Sequence, residues 1–162
     1  MVVLRTLALA AGLAVASAAH AHVTIQPATA PVGAYQVLRF GVGHGCGDIS
    51  ATTALRVEIP AGVTVARPQP KPGWTLEIER AGAAVTAVVW RGVLPADQFD
   101  EFVVLTKLPD AAGPLAFPAI QTCGAAQNLW TETSPPGGPR SQRPAPTLTL
   151  APAAPDAGHV HH

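Results

Sequence analysis

The chain is short of the residues that build most recognition surfaces. Only 12% of its 162 residues are charged, and ten basic residues stand against ten acidic ones. That balance argues against nucleic acid or an anionic membrane as the main partner. Aromatic residues make up 5% of the chain, methionine occurs once, as Met1, and cysteine twice. Outside residues 7–16 no apolar run approaches the length of a spanning helix, so no stable membrane insertion is expected. A convincing helical period is missing too. No repeat of about 20 to 50 residues appears, which excludes a solenoid or repeat array. No Ser or Cys nucleophile with a histidine partner stands out, so hydrolase triads are not suggested.

What is abundant is proline, at 17, and glycine, at 15. That mix suits many short strands joined by turns. Residues 53–60 alternate cleanly, placing Leu55, Val57 and Ile59 towards a core and Arg56 and Glu58 towards water. Residues 22–26, 35–42, 74–80, 84–90, 99–107, 115–122, 129–133 and 147–150 read as further strands. In the strand over 74–80, Leu76 and Ile78 face inward, and residues 84–90 are apolar on both faces. Residues 41–48 form a glycine-rich loop carrying His44 and Cys46. Residues 67–73, Arg-Pro-Gln-Pro-Lys-Pro-Gly, form a stiff crossing close to polyproline II. About eight or nine short strands predict an all-β, single-domain antiparallel sandwich of two packed sheets, immunoglobulin-like or cupredoxin-like.

The N-terminus sets the functional reading. Residues 1–21 have the form of a secretory signal, with Arg5, an apolar run over 7–16, and Ala19-His20-Ala21 fitting the small-x-small cleavage rule. The expected mature protein is exported, periplasmic or secreted, with a domain over 22–150 and a disordered Ala/Pro/His tail over 151–162. In an oxidising compartment Cys46 and Cys123 are read first as a disulfide, worth roughly 4 kcal/mol for so long a loop. A two-thiolate metal site is the rival reading of the pair.

Cleavage after Ala21 makes His22 the first residue, offering one metal its α-amine and its imidazole Nδ1 in a small chelate ring. With Met1 removed and the thiols oxidised there is no soft sulfur ligand. A copper site would therefore be nitrogen and oxygen, which favours Cu(II). Cleavage after Ala19 would instead leave His20-Ala21-His22, itself a Cu(II)-binding pattern. Affinity should fall in acid, because both nitrogens bind only when deprotonated.

Several motifs together resemble the YcnI-like copper-binding proteins, exported β-sandwich domains of bacteria. They are His22-Val-Thr-Ile-x-Pro, His44-Gly45-Cys46, Gln69-Pro70-Lys71-Pro72-Gly73-Trp74 and Gln98-Phe99-Asp100-Glu101-Phe102. Leu108-Pro109-Asp110, Phe117-Pro118, Gln121-Thr122-Cys123 and Trp130-Thr131-Glu132 complete the set. The similarity runs in order over nearly all of residues 22–150. It implies one Cu(II) per chain in a one-histidine brace made by His22, with a carboxylate matching Glu101 and a nearby tryptophan matching Trp130. It also implies a non-enzymatic role as copper carrier or chaperone, partnered by other copper-handling proteins outside the cytoplasm. A C-terminal membrane anchor of the kind some members carry is not expected in this chain.

The residues give Glu101 a second argument. It alternates with Phe99, Val103 and Leu105, which points it to the packed side or its rim, where a carboxylate needs a cation. Asp100 on the opposite face is the second choice. Core packing is expected for Trp90, exposure for His44, and weak metal binding or plain solvation for His159, His161 and His162. Two other readings remain open. A copper monooxygenase also starts with a bracing histidine but normally adds a second one and a flat aromatic face. A metal-free interaction module would be indifferent to a blocked N-terminus.

Overall fold

The computed structural model describes residues 22–46, 50–135, 137–139 and 141–152. Residues 1–21, where a leader is expected, and most of the expected tail, including His159, His161 and His162, lie outside the described residues. Among those described, every regular element is a strand. In chain order they are β1 (Thr24–Gln26), β2 (Thr29–Pro31), β3 (Tyr35–Val42), β4 (Thr52–Glu58), β5 (Val65–Pro68) and β6 (Thr75–Ala81). There follow β7 (Ala84–Leu94), β8 (Asp100–Lys107), β9 (Gly113–Ala116), β10 (Ala119–Cys123), β11 (Ala126–Trp130) and β12 (Thr147–Ala151).

Two principal sheets form the sandwich, one ordered β1-β3-β8-β5 and the other β11-β10-β4-β7-β6. A third small sheet, β2-β12-β9, adds a parallel strand pairing, between β12 and β2. The core follows strand alternation. Leu38, Phe40 and Val42 of β3 and Phe102 and Val104 of β8 point inward from one sheet. Leu55 and Val57 of β4, Trp90 of β7 and Ala119 of β10 are buried in the same cluster. Each large apolar side chain buried this way contributes about 1.5–3 kcal/mol. Phe102 holds the middle, its ring 4.9 Å from that of Trp74 and 5.4 Å from that of Trp90.

Four expectations need correction. The run over 115–122 is two strands in different sheets, because Pro118 has no amide to continue a ladder. Phe117 is fully buried at the crossing. Residues 67–73 are not wholly a polyproline crossing. Val65–Pro68 pairs with β8, and the Gln69 amide extends the pairing to the Val103 carbonyl at 2.8 Å. Pro68 is tolerated because β5 is an edge. In β6, also an edge, Leu76 packs on the core but Ile78 is exposed. The strand over 147–150 runs on to Ala151, where it pairs with Pro31.

Candidate metal centre

Register across the four-stranded sheet builds one wall of the site. Thr24 of β1 lies opposite Gly41 of β3, and Gly41 lies opposite Glu101 of β8. Paired residues share a face, so these three form a row on the outer side, while Val23, Ile25, Phe40 and Phe102 fill the inner side. His22, two residues before Thr24, continues the outer row. His22, Thr24, Gln26, Arg39, Gly41, Gly43, Phe99 and Glu101 line a cleft of about 130 Å³. Gly41 keeps its floor open, since a Cβ there would lie 2.8 Å from Thr24 Oγ1.

Glu101 is not on the packed side. The inner face of β8 is Phe102, Val104 and Thr106, and Phe99 is 68% exposed. Phe99, Val103 and Leu105 are apolar residues of a partly solvated face, so alternation alone misassigned the side. The Glu101 carboxylate meets a cation there, with Arg39 Nε 3.8 Å from Oε2.

The second wall comes from the other sheet. Trp130 ends the edge strand β11, and its ring lies 5.2 Å from that of His22, the planes tilted by 56°. Trp130 is 5% exposed, and its Nε1 donates to Gln121 Oε1 at 3.2 Å. Gln121 is fully buried. Its Nε2 donates to the His44 carbonyl and to Thr52 Oγ1, each at 2.8 Å. Two positions along β10, Cys123 forms the disulfide with Cys46. The backbone around His44 is thus tied to the strand that orients Trp130. Gly45 is required in between, because a Cβ would fall 1.7 Å from the Ser50 carbonyl oxygen.

The other candidates are placed elsewhere. Asp100 binds Lys71 Nζ at 2.6 Å, and the same ammonium donates to the Glu101 carbonyl at 3.0 Å. Its carboxylate is thereby engaged on the opposite side of β8 from His22. His44 is half-buried rather than exposed, contributing its carbonyl to Gln121. Trp90 is fully buried, as core packing requires. Among the described residues no three His, Cys, Asp or Glu side chains converge on one point. Gln121 and Arg39 are the residues that site reasoning missed. Gln121 lies inside the Gln121-Thr122-Cys123 motif, and the apolar neighbours Ala119 and Cys123 on its face signal a buried amide in need of partners.

Residues 22–150 match a protein family described as Domain of unknown function (DUF1775). The chain belongs to this family. Among proteins similar to this DUF1775 chain is the Copper-binding protein CutI of Bacillus subtilis (strain 168), 27% identical over 106 residues. That alignment covers 64% of this chain and 51% of CutI, so the chain spans about half the length of that relative. A crystal structure of an uncharacterized protein from Nocardia farcinica, described as an immunoglobulin-like fold, matches with a TM-score of 0.70 at 38% identity. The match covers 80% of this chain and 98% of that one. The YcnI-like membership and the immunoglobulin-like sandwich expected from the sequence are both borne out.

Proposed function

We propose that the protein is an exported Cu(II)-binding protein that carries copper outside the cytoplasm, without catalysing a reaction on it. The α-amine and imidazole of a mature N-terminal His22 form the chelate, Glu101 adds a carboxylate oxygen, and Trp130 lies against the imidazole to exclude water. The observation that carries this reading is the position of His22, in one cleft with Glu101 and ring to ring with Trp130. The donor set of two nitrogens and one oxygen suits Cu(II), and lacks the thiolate or thioether that would retain Cu(I). Reduction of the metal therefore favours release. A relative named for copper binding supports the same metal.

The test is a Cu(II) titration of two purified forms, one beginning at His22 by intact mass and one with a single glycine added before it. The expected result is tight one-to-one binding by the first. The second should lose more than the roughly 10- to 100-fold that a missing supporting contact costs. Equal binding by both forms would remove the brace from consideration.

A further inference from the structure

We infer that the cleft beside His22 is a two-part site, in which Arg39 holds a small carboxylate that completes the coordination of Cu(II). The inference rests on the copper reading above and concerns the ligand that reading leaves unassigned. A tetragonal Cu(II) ion takes four close donors. The amine, the imidazole and Glu101 provide three. Trp130 cannot be the fourth, because an indole nitrogen is a donor only, and its proton is already given to Gln121.

The cleft offers an anion several polar partners. Arg39 approaches Glu101 through Nε at 3.8 Å, and among the described residues its terminal nitrogens make no hydrogen bond or ion pair. The Thr24 hydroxyl and the Gln26 amide line the same space and are exposed. Gly41 leaves the floor bare between Thr24 and Glu101. A cleft of about 130 Å³ has room for roughly four water-sized groups, enough for one ion and a small carboxylate. Electrostatics points the same way. A Glu101 carboxylate turned to the metal would leave the Arg39 guanidinium without its partner, and a guanidinium beside a divalent cation is repelled unless negative charge lies between them. A carboxylate answers both, with one oxygen on the metal and the other on the guanidinium fork. It enters by displacing water from the open position, with no change in oxidation state.

Acetate is the probe. Mature protein is loaded with one equivalent of Cu(II) in a non-coordinating buffer, one-to-one loading is verified by mass, and acetate is titrated. The electron paramagnetic resonance spectrum and the visible band of the copper are followed. The expected result is a saturable shift between two spectra, with the acetate affinity falling on the order of 10-fold or more in Arg39→Gln, the loss of a charge-assisted contact. Gly41→Ala, which puts a methyl on the floor, should weaken acetate as well. A loaded protein whose spectrum does not respond, or responds identically in wild type and Arg39→Gln, overturns the inference and leaves the copper reading standing. Failure to load copper at the first step overturns both.

Discussion

His22 stands between two walls built in opposite ways. On one side Trp130 is buried and its only polar atom is committed to Gln121, which is committed in turn to Thr52 and the His44 carbonyl beside the disulfide. On the other side Glu101 and Arg39 are 38% and 49% exposed along their side chains and meet at 3.8 Å through one pair of atoms. The looseness is not a limit of the fold. On the outer face of the other sheet Arg56 clamps Glu79 through two contacts, 3.1 and 2.9 Å, and Glu58 at 2.6 Å. Where a tight clamp is made, the carboxylates are spent on the arginine. The slack pair beside His22 leaves a carboxylate free to turn, as the proposed copper site requires, against a buried and hydrogen-bonded tryptophan. A fixed wall lowers the ordering cost of binding, and a slack one permits exchange.

The largest effect should follow from attacking the fixed wall at its anchor. Replacing Cys46 and Cys123 by alanine removes a cross-link over 77 positions and should cost about 4 kcal/mol in stability, less any relief of native strain. Urea unfolding measures it, and Cu(II) affinity should drop with it, because the seat of Trp130 loosens. Full stability in the double variant would show that the buried amide network alone holds this wall.

Gln121→Leu comes next. It leaves the Trp130 Nε1 and the His44 carbonyl without their partner inside the protein. A buried polar group left unpaired costs about 1–3 kcal/mol. Stability and copper affinity should again fall together. If Gln121→Leu unfolds at the wild-type urea concentration, the wall is less rigid than its hydrogen bonds imply.

The slack wall should behave otherwise. Glu101→Gln breaks an exposed ion pair, which is worth about 1 kcal/mol or less, so unfolding should hardly change. Copper affinity should nevertheless fall by about 100-fold or more, since the carboxylate is a ligand in the proposed brace and even a supporting contact costs about 10- to 100-fold. Affinity without stability on this side, and both together on the other, is the signature of the contrast. Unchanged copper binding in Glu101→Gln would erase it.

Much of this was legible in the residues, for identifiable reasons. Leu55, Val57, Arg56 and Glu58 sort by alternation, since a strand with one wet face writes its orientation into the sequence. The disulfide followed from two cysteines behind a leader-like segment. Alternation failed at Glu101, because Phe99, Val103 and Leu105 are apolar without being core. Period-two reasoning cannot distinguish a buried face from a partly solvated one when both are apolar. The break at Pro118 was visible as a proline, but that it moves the chain from the three-stranded sheet to the five-stranded one depends on pairings far away in sequence. Arg39 escaped notice for the same reason, since only the register of β3 on β8 brings it to Glu101.

The smallest effect sharpens the contrast from the clamp that does not touch the site. Hydrogen bonding to Arg56 is the main cause that holds the Glu79 carboxyl below its ordinary value of 4.5, against a smaller opposing effect of burial. A carboxylate whose pKa is lower folded than unfolded binds fewer protons in the native state. Its contribution is therefore present above the unfolded value and disappears as pH falls through the folded one. Glu79→Gln should leave thermal stability near neutrality slightly lower, and make its decline between roughly pH 5 and pH 3 shallower than in wild type. Copper affinity should stay where it was, because Glu79 pairs with Arg56 on the opposite sheet. A thermal unfolding series across that range, set beside a Cu(II) titration at neutral pH, measures both. An unaltered acid slope would mean that solvent and salt already screen the clamp. A loss of copper binding would mean that the outer faces of the two sheets are coupled, and that the slack of Arg39 and Glu101 is set from across the sandwich.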